Sequence, residues 1–317
     1  MPTPAPKLDV SLVIPMLNEE ESIRELSMRI IDVFKQLDKS FEIIFIDDGS
    51  TDSSSDTARE LYGEDSRIKL IEFRKNYGKA AALAAGFKMV AGEIVITMDA
   101  DLQDDPNEIP HLIGKIEEGY DLVSGWKKVR HDPFLKRHTS KIYNYFTSVF
   151  SGIRLHDFNC GLKAYRAEVV KSMSVYGELH RYLPVIAHRN GYNVTEMVVT
   201  HHARKYGQSK YGIARFTRGA FDLMTITFLT RYKKRPLHLF GSWGMMATFA
   251  GFVILFYLAL QKIIFDAHLS NRPLLFLGLL MVIIGVQFFS IGLLGEMITE
   301  ARAESDNYLV KSQSGWE

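Results

Sequence analysis

Leu237 to Leu260 and Pro273 to Gly295 contain no Asp, Glu, Lys or Arg. Each run exceeds the ~20 apolar residues that carry a helix across a bilayer. Both hold several glycines, which membrane helices tolerate better than soluble ones. The pair therefore reads as a two-helix hairpin over 236–296. Arg231, Lys233, Lys234 and Arg235 crowd its entrance, whereas only Lys262 and Arg272 are basic between the runs. Basic flanks stay on the cytoplasmic side, so the preceding domain and the tail, 297–317, are expected there. Residues 1–7 are Pro-rich without an apolar core and read as a disordered start, not a signal peptide. A single cysteine, Cys160, excludes an intrachain disulfide. Gly241, Gly244 and Gly251 in one run and Gly278, Gly285 and Gly292 in the other permit close helix packing. That packing fits either within the hairpin or between chains, so a homo-oligomer stays open.

The first 235 residues are mixed and charged, as in a soluble domain, and the net charge of +1 gives no sign of a nucleic-acid partner. Apolar runs at Val10–Met16, Phe41–Ile46, Ile68–Phe73, Ile94–Met98 and Leu122–Gly125 read as strands. Helical patterns fall between them: Ile23, Leu26, Ile30, Val33 and Leu37 mark one face, and an Ala-rich segment follows Asn76-Tyr77-Gly78-Lys79. This alternation predicts a mostly parallel sheet with helices on both faces. Three strand ends are acidic: Asn18-Glu19, Asp47-Asp48, and Asp99-Ala100-Asp101-Leu102-Gln103. Carboxylates gathered on one sheet edge repel unless cations or ligand donors sit among them. The crevice beyond strand C-termini is where open α/β sheets bind ligands. Hard oxygen donors at the spacing of Asp99 and Asp101 suit Mg²⁺ or Mn²⁺, which bind diphosphate oxygens.

After Trp126 the alternation breaks. A basic turn leads to a helix from about 136 to 150, then a loop enters a strand at 155–166. Further helices at 168–173 and 178–189 precede an alternating strand, Asn193–Thr200. His201 to Tyr211 is a basic loop, and 213–230 has the pattern of an amphipathic helix lying on a membrane surface, within a juxtamembrane segment 213–235.

Four motifs in order carry a resemblance: Val13-Ile14-Pro15-Met16-Leu17-Asn18-Glu19-Glu20, Ile46-Asp47-Asp48-Gly49-Ser50-Thr51-Asp52, Asn76-Tyr77-Gly78-Lys79 and Asp99-Ala100-Asp101-Leu102-Gln103-Asp104, followed by Arg204-x-x-Gly207-x-Ser209-Lys210. Together they resemble the family 2 glycosyltransferases of fold type A, specifically the polyisoprenyl-phosphate glycosyltransferases. That group includes dolichol-phosphate mannose synthases and bacterial undecaprenyl-phosphate glucosyltransferases. The resemblance implies a Rossmann-like catalytic domain over 8–212, a mostly parallel sheet, an interfacial helix and two transmembrane helices. It implies that Pro15, Leu17, Glu19, Ile46 and Asp48 hold the nucleoside of a nucleotide sugar. Asp99, Ala100 and Asp101 would line the donor diphosphate, and Asp101 and Gln103, with Asp99 beside them, would hold the Mg²⁺ or Mn²⁺. Arg204 and Lys210 would close over the phosphates, while Arg137 and Ser140 would receive the lipid phosphate. Lys127 stands where mannose synthases carry Arg, and Lys lacks the bidentate fork. Asp157 is the implied acid facing the acceptor and the candidate general base.

The expected reaction is inverting transfer of one sugar to polyprenyl (undecaprenyl) phosphate at the cytoplasmic face of the bacterial inner membrane. UDP-glucose is the expected donor, with GDP-mannose and an aminoarabinose nucleotide as alternatives. A processive polysaccharide synthase fits poorly, because Trp126, Trp243 and Trp316 lie outside any Gln-x-x-Arg-Trp sequence. A non-catalytic membrane scaffold fits poorly too, because Asp101 and Gln103 are both present.

Overall fold

The computed structural model describes residues 8–128, 144, 147–149, 151–173, 175, 177, 179–203, 205, 236–265 and 273–302. The helix expected over 136–150 is covered only in part, and the amphipathic helix over 213–230 lies outside the described residues, as do Arg137, Ser140, Arg204 and Lys210. The chain forms two compact units, 1–226 and 227–317.

Among the described residues, the first unit is built on seven strands: β1 (Leu8–Met16), β2 (Phe41–Asp47), β3 (Ile68–Glu72), β4 (Gly92–Thr97), β5 (Leu122–Trp126), β6 (Lys163–Arg166) and β7 (Val194–Val198). Their order across the sheet is β3-β2-β1-β4-β6-β5-β7. Every pairing is parallel except those of β6, which runs antiparallel to β4 and β5. Helices α1 (Ile23–Gln36), α2 (Ser54–Glu64) and α4 (Ile109–Glu117) cover one face. Helices α3 (Lys79–Met89), α5 (Ala167–Ser172) and α6 (Leu183–Arg189) cover the other.

The alternation of β1 explains the layering. Val10, Leu12, Ile14 and Met16 pack with Ile23, Leu26 and Ile30 of α1, while Val13 packs with Leu83 and Phe87 under α3. All of β2 is buried, as expected of a central parallel strand. The helix expected over 178–189 divides into a 3₁₀ turn, Leu179–Arg181, and α6. Pro184 is the reason: it has no amide hydrogen to donate and favours the first turn of a new helix.

The second unit is a hairpin of α7 (Pro236–Phe265) and α8 (Pro273–Arg302), both long and apolar enough to cross a membrane. A Cβ on Gly244 would lie 2.6 Å from the Gly285 carbonyl oxygen, and one on Gly251 would lie 2.8 Å from that of Gly278. These glycines therefore face the neighbouring helix of the same hairpin. Glu296 accepts the backbone N–H of Leu237 at 3.2 Å, satisfying a donor at the α7 N-terminus. The outer faces carry Phe249, Phe256, Ile263 and Phe276, all exposed.

Candidate functional site

The chain runs outward from β1 through β2 to β3, then returns to place β4 on the other side of β1. Loops diverge at that reversal, so the crevice lies beyond the C-terminal ends of β1 and β4. Pro15 and Met16 sit in register with Ile46 and Asp47. The loops beyond are stitched together. Thr51 N donates to Asn18 Oδ1 at 2.8 Å, Asn18 N to Ser50 Oγ at 3.0 Å, and Glu19 N to Ser54 Oγ at 2.7 Å. Asn18 adopts a φ of 54°, which Asn tolerates better than most residues. The structure thus brings Pro15, Leu17, Glu19, Ile46 and Asp48 to adjacent strand ends. The side chain of Ile46, however, is sunk in the apolar layer beneath α3.

Asp48 accepts the backbone N–H groups of Tyr77 at 2.7 Å and Gly78 at 2.9 Å, just before α3 begins. Burial pushes its carboxyl above the ordinary value, against the lowering effect of those two donors. Asp47 accepts Ser50 N at 3.0 Å and the Ser55 hydroxyl, which closes the loop after β2.

The loop after β4 is more constrained. Leu102 is buried with a φ of 58°, a left-handed conformation costly for a branched apolar residue. That twist separates Asp101 from Gln103. Asp101 is nearly buried, and its Oδ1 accepts Gln103 N at 3.2 Å. Ala100 is buried beside it. The segment after β7 crosses back over this loop. The Gln103 carbonyl accepts His202 N at 2.9 Å and meets His201 Nδ1 at 3.1 Å. His202 pairs with Asp105 at 3.0 Å.

Asp99 is an ion-paired carboxylate, not a solvated one. Lys79, the first residue of α3, bonds it directly. Burial would raise its pKa, but the charge of Lys79, with Lys127 and Lys163, holds the carboxyl far below the ordinary range. Gly161 lies against it, and a Cβ there would stand 2.6 Å from the Asp99 carboxyl carbon. Lys127, expected to touch the donor, pairs with buried Asp104 at 2.7 Å. Burial would favour the neutral amine, but Asp104, aided by Asp99, raises the pKa and keeps Lys127 charged.

Pro15, Lys79, Thr97, Asp99, Lys163 and His180 line a partly open cavity of about 20 Å³, room for roughly one water. Lys163 is buried and donates to the Cys160 carbonyl. Burial drives the Lys163 pKa down, pushes the Cys160 thiol up to about 12, and pulls His180 down to about 2. His180 is therefore neutral, and among the described residues its Nδ1 has no hydrogen-bond partner. Asp157 is buried, with Oδ1 accepting Asn159 N at 3.1 Å, and does not line this cavity.

Among the described residues, no three His, Cys, Asp or Glu side chains converge as a closed metal cage. Asp101 and Gln103 lie two residues apart on this loop, with Gln103 Nε2 3.5 Å from the His202 carbonyl.

Sequence reasoning noted Lys79 and Asp104 as motif residues without assigning them a role, and missed Lys163 and His180. Two left a signal. Lys at the first residue of a helix opposes the helix dipole unless an anion is near. Lys163, between Leu162 and Ala164, puts a charge where a buried strand expects none.

The profile described as glycosyl transferase family 2 matches residues 11–173. This chain belongs to glycosyl transferase family 2. Among its relatives is the dodecaprenyl-phosphate galacturonate synthase of Rhizobium johnstonii, 38% identical over 97% of this chain and 94% of that protein. The undecaprenyl-phosphate 4-deoxy-4-formamido-L-arabinose transferase of Proteus mirabilis is 36% identical over 91% of this chain and 88% of its own length. Glucosyl-3-phosphoglycerate synthase of Mycobacterium tuberculosis, crystallised with Mn²⁺, UDP and glucosyl-3-phosphoglycerate, has a TM-score of 0.52 at 20% identity. That match covers 71% of this chain and 80% of the synthase. The family's type A fold is thus present, and the chain is a glycosyltransferase.

Proposed function

We propose that this glycosyltransferase moves one sugar, with inversion, from a UDP-sugar to a polyprenyl phosphate at the cytoplasmic face of a bacterial inner membrane. The supporting observation is the near-complete alignment with a relative named for a polyprenyl-phosphate product, which takes in both the loop after β4 and the apolar hairpin. The expected UDP-glucose donor gives way here to an acidic sugar of the galacturonate kind. The relative named for a galacturonate product supports that choice. The formamido-arabinose donor is the second reading, supported by the relatives of that name.

In this reading Pro15, Leu17, Glu19 and Asp48 hold the nucleoside, with Ile46 setting its floor. Asp99 orients the donor, and Ala100 leaves room for the diphosphate. Asp101 and Gln103 would hold Mg²⁺ or Mn²⁺. Such an ion offsets diphosphate charge and stabilises the departing nucleoside diphosphate. Lys127 holds Asp104 and so braces the loop from behind. Arg204 and Lys210 are assigned to the donor phosphates, and Arg137 and Ser140 to the acceptor phosphate. The nucleophile is a phosphate oxygen, anionic at neutral pH, so the demand on a base is small. Asp157 is the proposed base, and Asp157→Asn should slow turnover without weakening donor binding.

The full chain in detergent, with Mg²⁺, undecaprenyl phosphate and a panel of labelled nucleotide sugars, tests the proposal. Chloroform-soluble label is expected with UDP-galacturonate above UDP-glucose. No lipid product with any donor rejects the reading, and product from the formamido-arabinose donor alone selects the second one.

A further inference from the structure

His156 precedes the buried Asp157 but lies on the surface, with its side chain 64% exposed. Its ring is nonetheless held by two neighbours, and its backbone by two hydrogen bonds. It stacks on Trp126 at 4.0 Å between centroids and 13° between planes. Glu196 of β7 grips the residue twice, accepting the backbone N–H at 2.7 Å and bonding ring Nδ1 with its other oxygen. The side chain of Asn144 donates to the His156 carbonyl at 2.7 Å.

A carboxylate only accepts, so Nδ1 is the protonated nitrogen and the bond sets the ring orientation. Among the described residues nothing bonds Nε2. Lys128 stands 5.7 Å from the Trp126 ring centroid and adds a cation to the patch. An exposed imidazole that only filled space would need neither a two-point carboxylate grip nor an aromatic backstop.

We infer that His156, oriented by Glu196 and Trp126 and flanked by Lys128, is a binding site for the phosphate monoester of the acceptor, with Nε2 sharing the monoester's proton in a hydrogen bond to a phosphate oxygen. This inference rests on the polyprenyl-phosphate acceptor proposed above. It names residues separate from Arg137 and Ser140, and it sets His156 beside the base candidate Asp157. Glu196 and Trp126 act as positioning residues.

The test is steady-state kinetics of the full chain, varying undecaprenyl phosphate at saturating donor, for wild type, His156→Ala and Glu196→Gln. UDP affinity is measured on the same samples. A charge-assisted hydrogen bond lost from the acceptor should raise its KM about tenfold in His156→Ala. The rise should be smaller in Glu196→Gln, and UDP affinity should stay within about twofold. Added imidazole should partly restore His156→Ala, since the site is open to solvent. Phosphatidylglycerol in the micelles should leave the wild-type KM unchanged if the site reads a monoester; competition by phosphatidylglycerol that disappears in His156→Ala would assign it to lipid headgroups and overturn the inference. An unchanged KM in both variants, or a parallel loss of UDP affinity, also overturns it. Should wild type yield no lipid product, the acceptor reading itself fails. In that case ³¹P NMR titration with farnesyl phosphate decides, and binding that ignores His156→Ala rejects the site.

Discussion

Glu42 and Asp99 are both carboxylates on one parallel sheet, yet their surroundings differ in kind. Glu42 is buried in β2, and its oxygens accept the Ser11 hydroxyl, the Ala91 N–H at 2.9 Å and the Lys69 ammonium. Ser11 in turn accepts Gly92 N at 2.8 Å, so strands β1, β2 and β4 are tied by one closed network. Around Asp99 the network stays open. The neighbouring loop holds a left-handed Leu102, and His180 Nδ1 has no partner among the described residues. Lys79 and Lys163 also stand against Asp99. A closed network fixes a fold, whereas an open one leaves capacity for a ligand.

The largest effect expected from breaking this contrast is at Gly161. Gly161→Ala places a methyl where the Asp99 carboxyl now stands. A misplacement of that size costs on the order of 10²-fold in turnover, with a modest change in melting temperature. Turnover near wild type would show that Asp99 has no part in orienting the donor. A smaller effect, of opposite type, is expected at Glu42. Glu42→Gln should lower unfolding free energy by about 1–3 kcal/mol, because buried donors lose a charged acceptor. Turnover per folded molecule should hold. Burial alone would raise the Glu42 pKa, but Lys69, Ser11 and the Ala91 N–H outweigh it and hold it below 4.5. Its stabilisation is therefore present above pH 4.5 and disappears as acid carries the pH down through the lowered folded value. The stability difference between wild type and Glu42→Gln, followed by denaturant melts, should shrink across that acid range. A difference independent of pH would remove the charge from the account.

Much of this architecture was legible in the residues. Apolar runs ending in acid located β1, β2 and β4 and the edge they share, because strand burial and crevice chemistry both write themselves into local sequence. The uncharged runs located α7 and α8 for the same reason. What local pattern could not carry was pairing at a distance. Lys127 is assigned to the donor only through the resemblance, and nothing local announces its ion pair with Asp104, which the loop after β4 delivers. His156 read as part of a loop, since nothing near it in sequence announces Glu196 or Trp126. The glycines of the hairpin left two packings open, and only helix register showed that Gly244 meets Gly285.

The central claim is that the open network beyond β1 and β4 is a metal-dependent nucleotide seat. Calorimetric titration of UDP into the full chain, with and without Mn²⁺, tests it most directly. Binding should require Mn²⁺, should be lost in Asp101→Ala, and should be unaltered in Glu42→Gln. UDP binding of equal strength without Mn²⁺, or in Asp101→Ala, would contradict the claim.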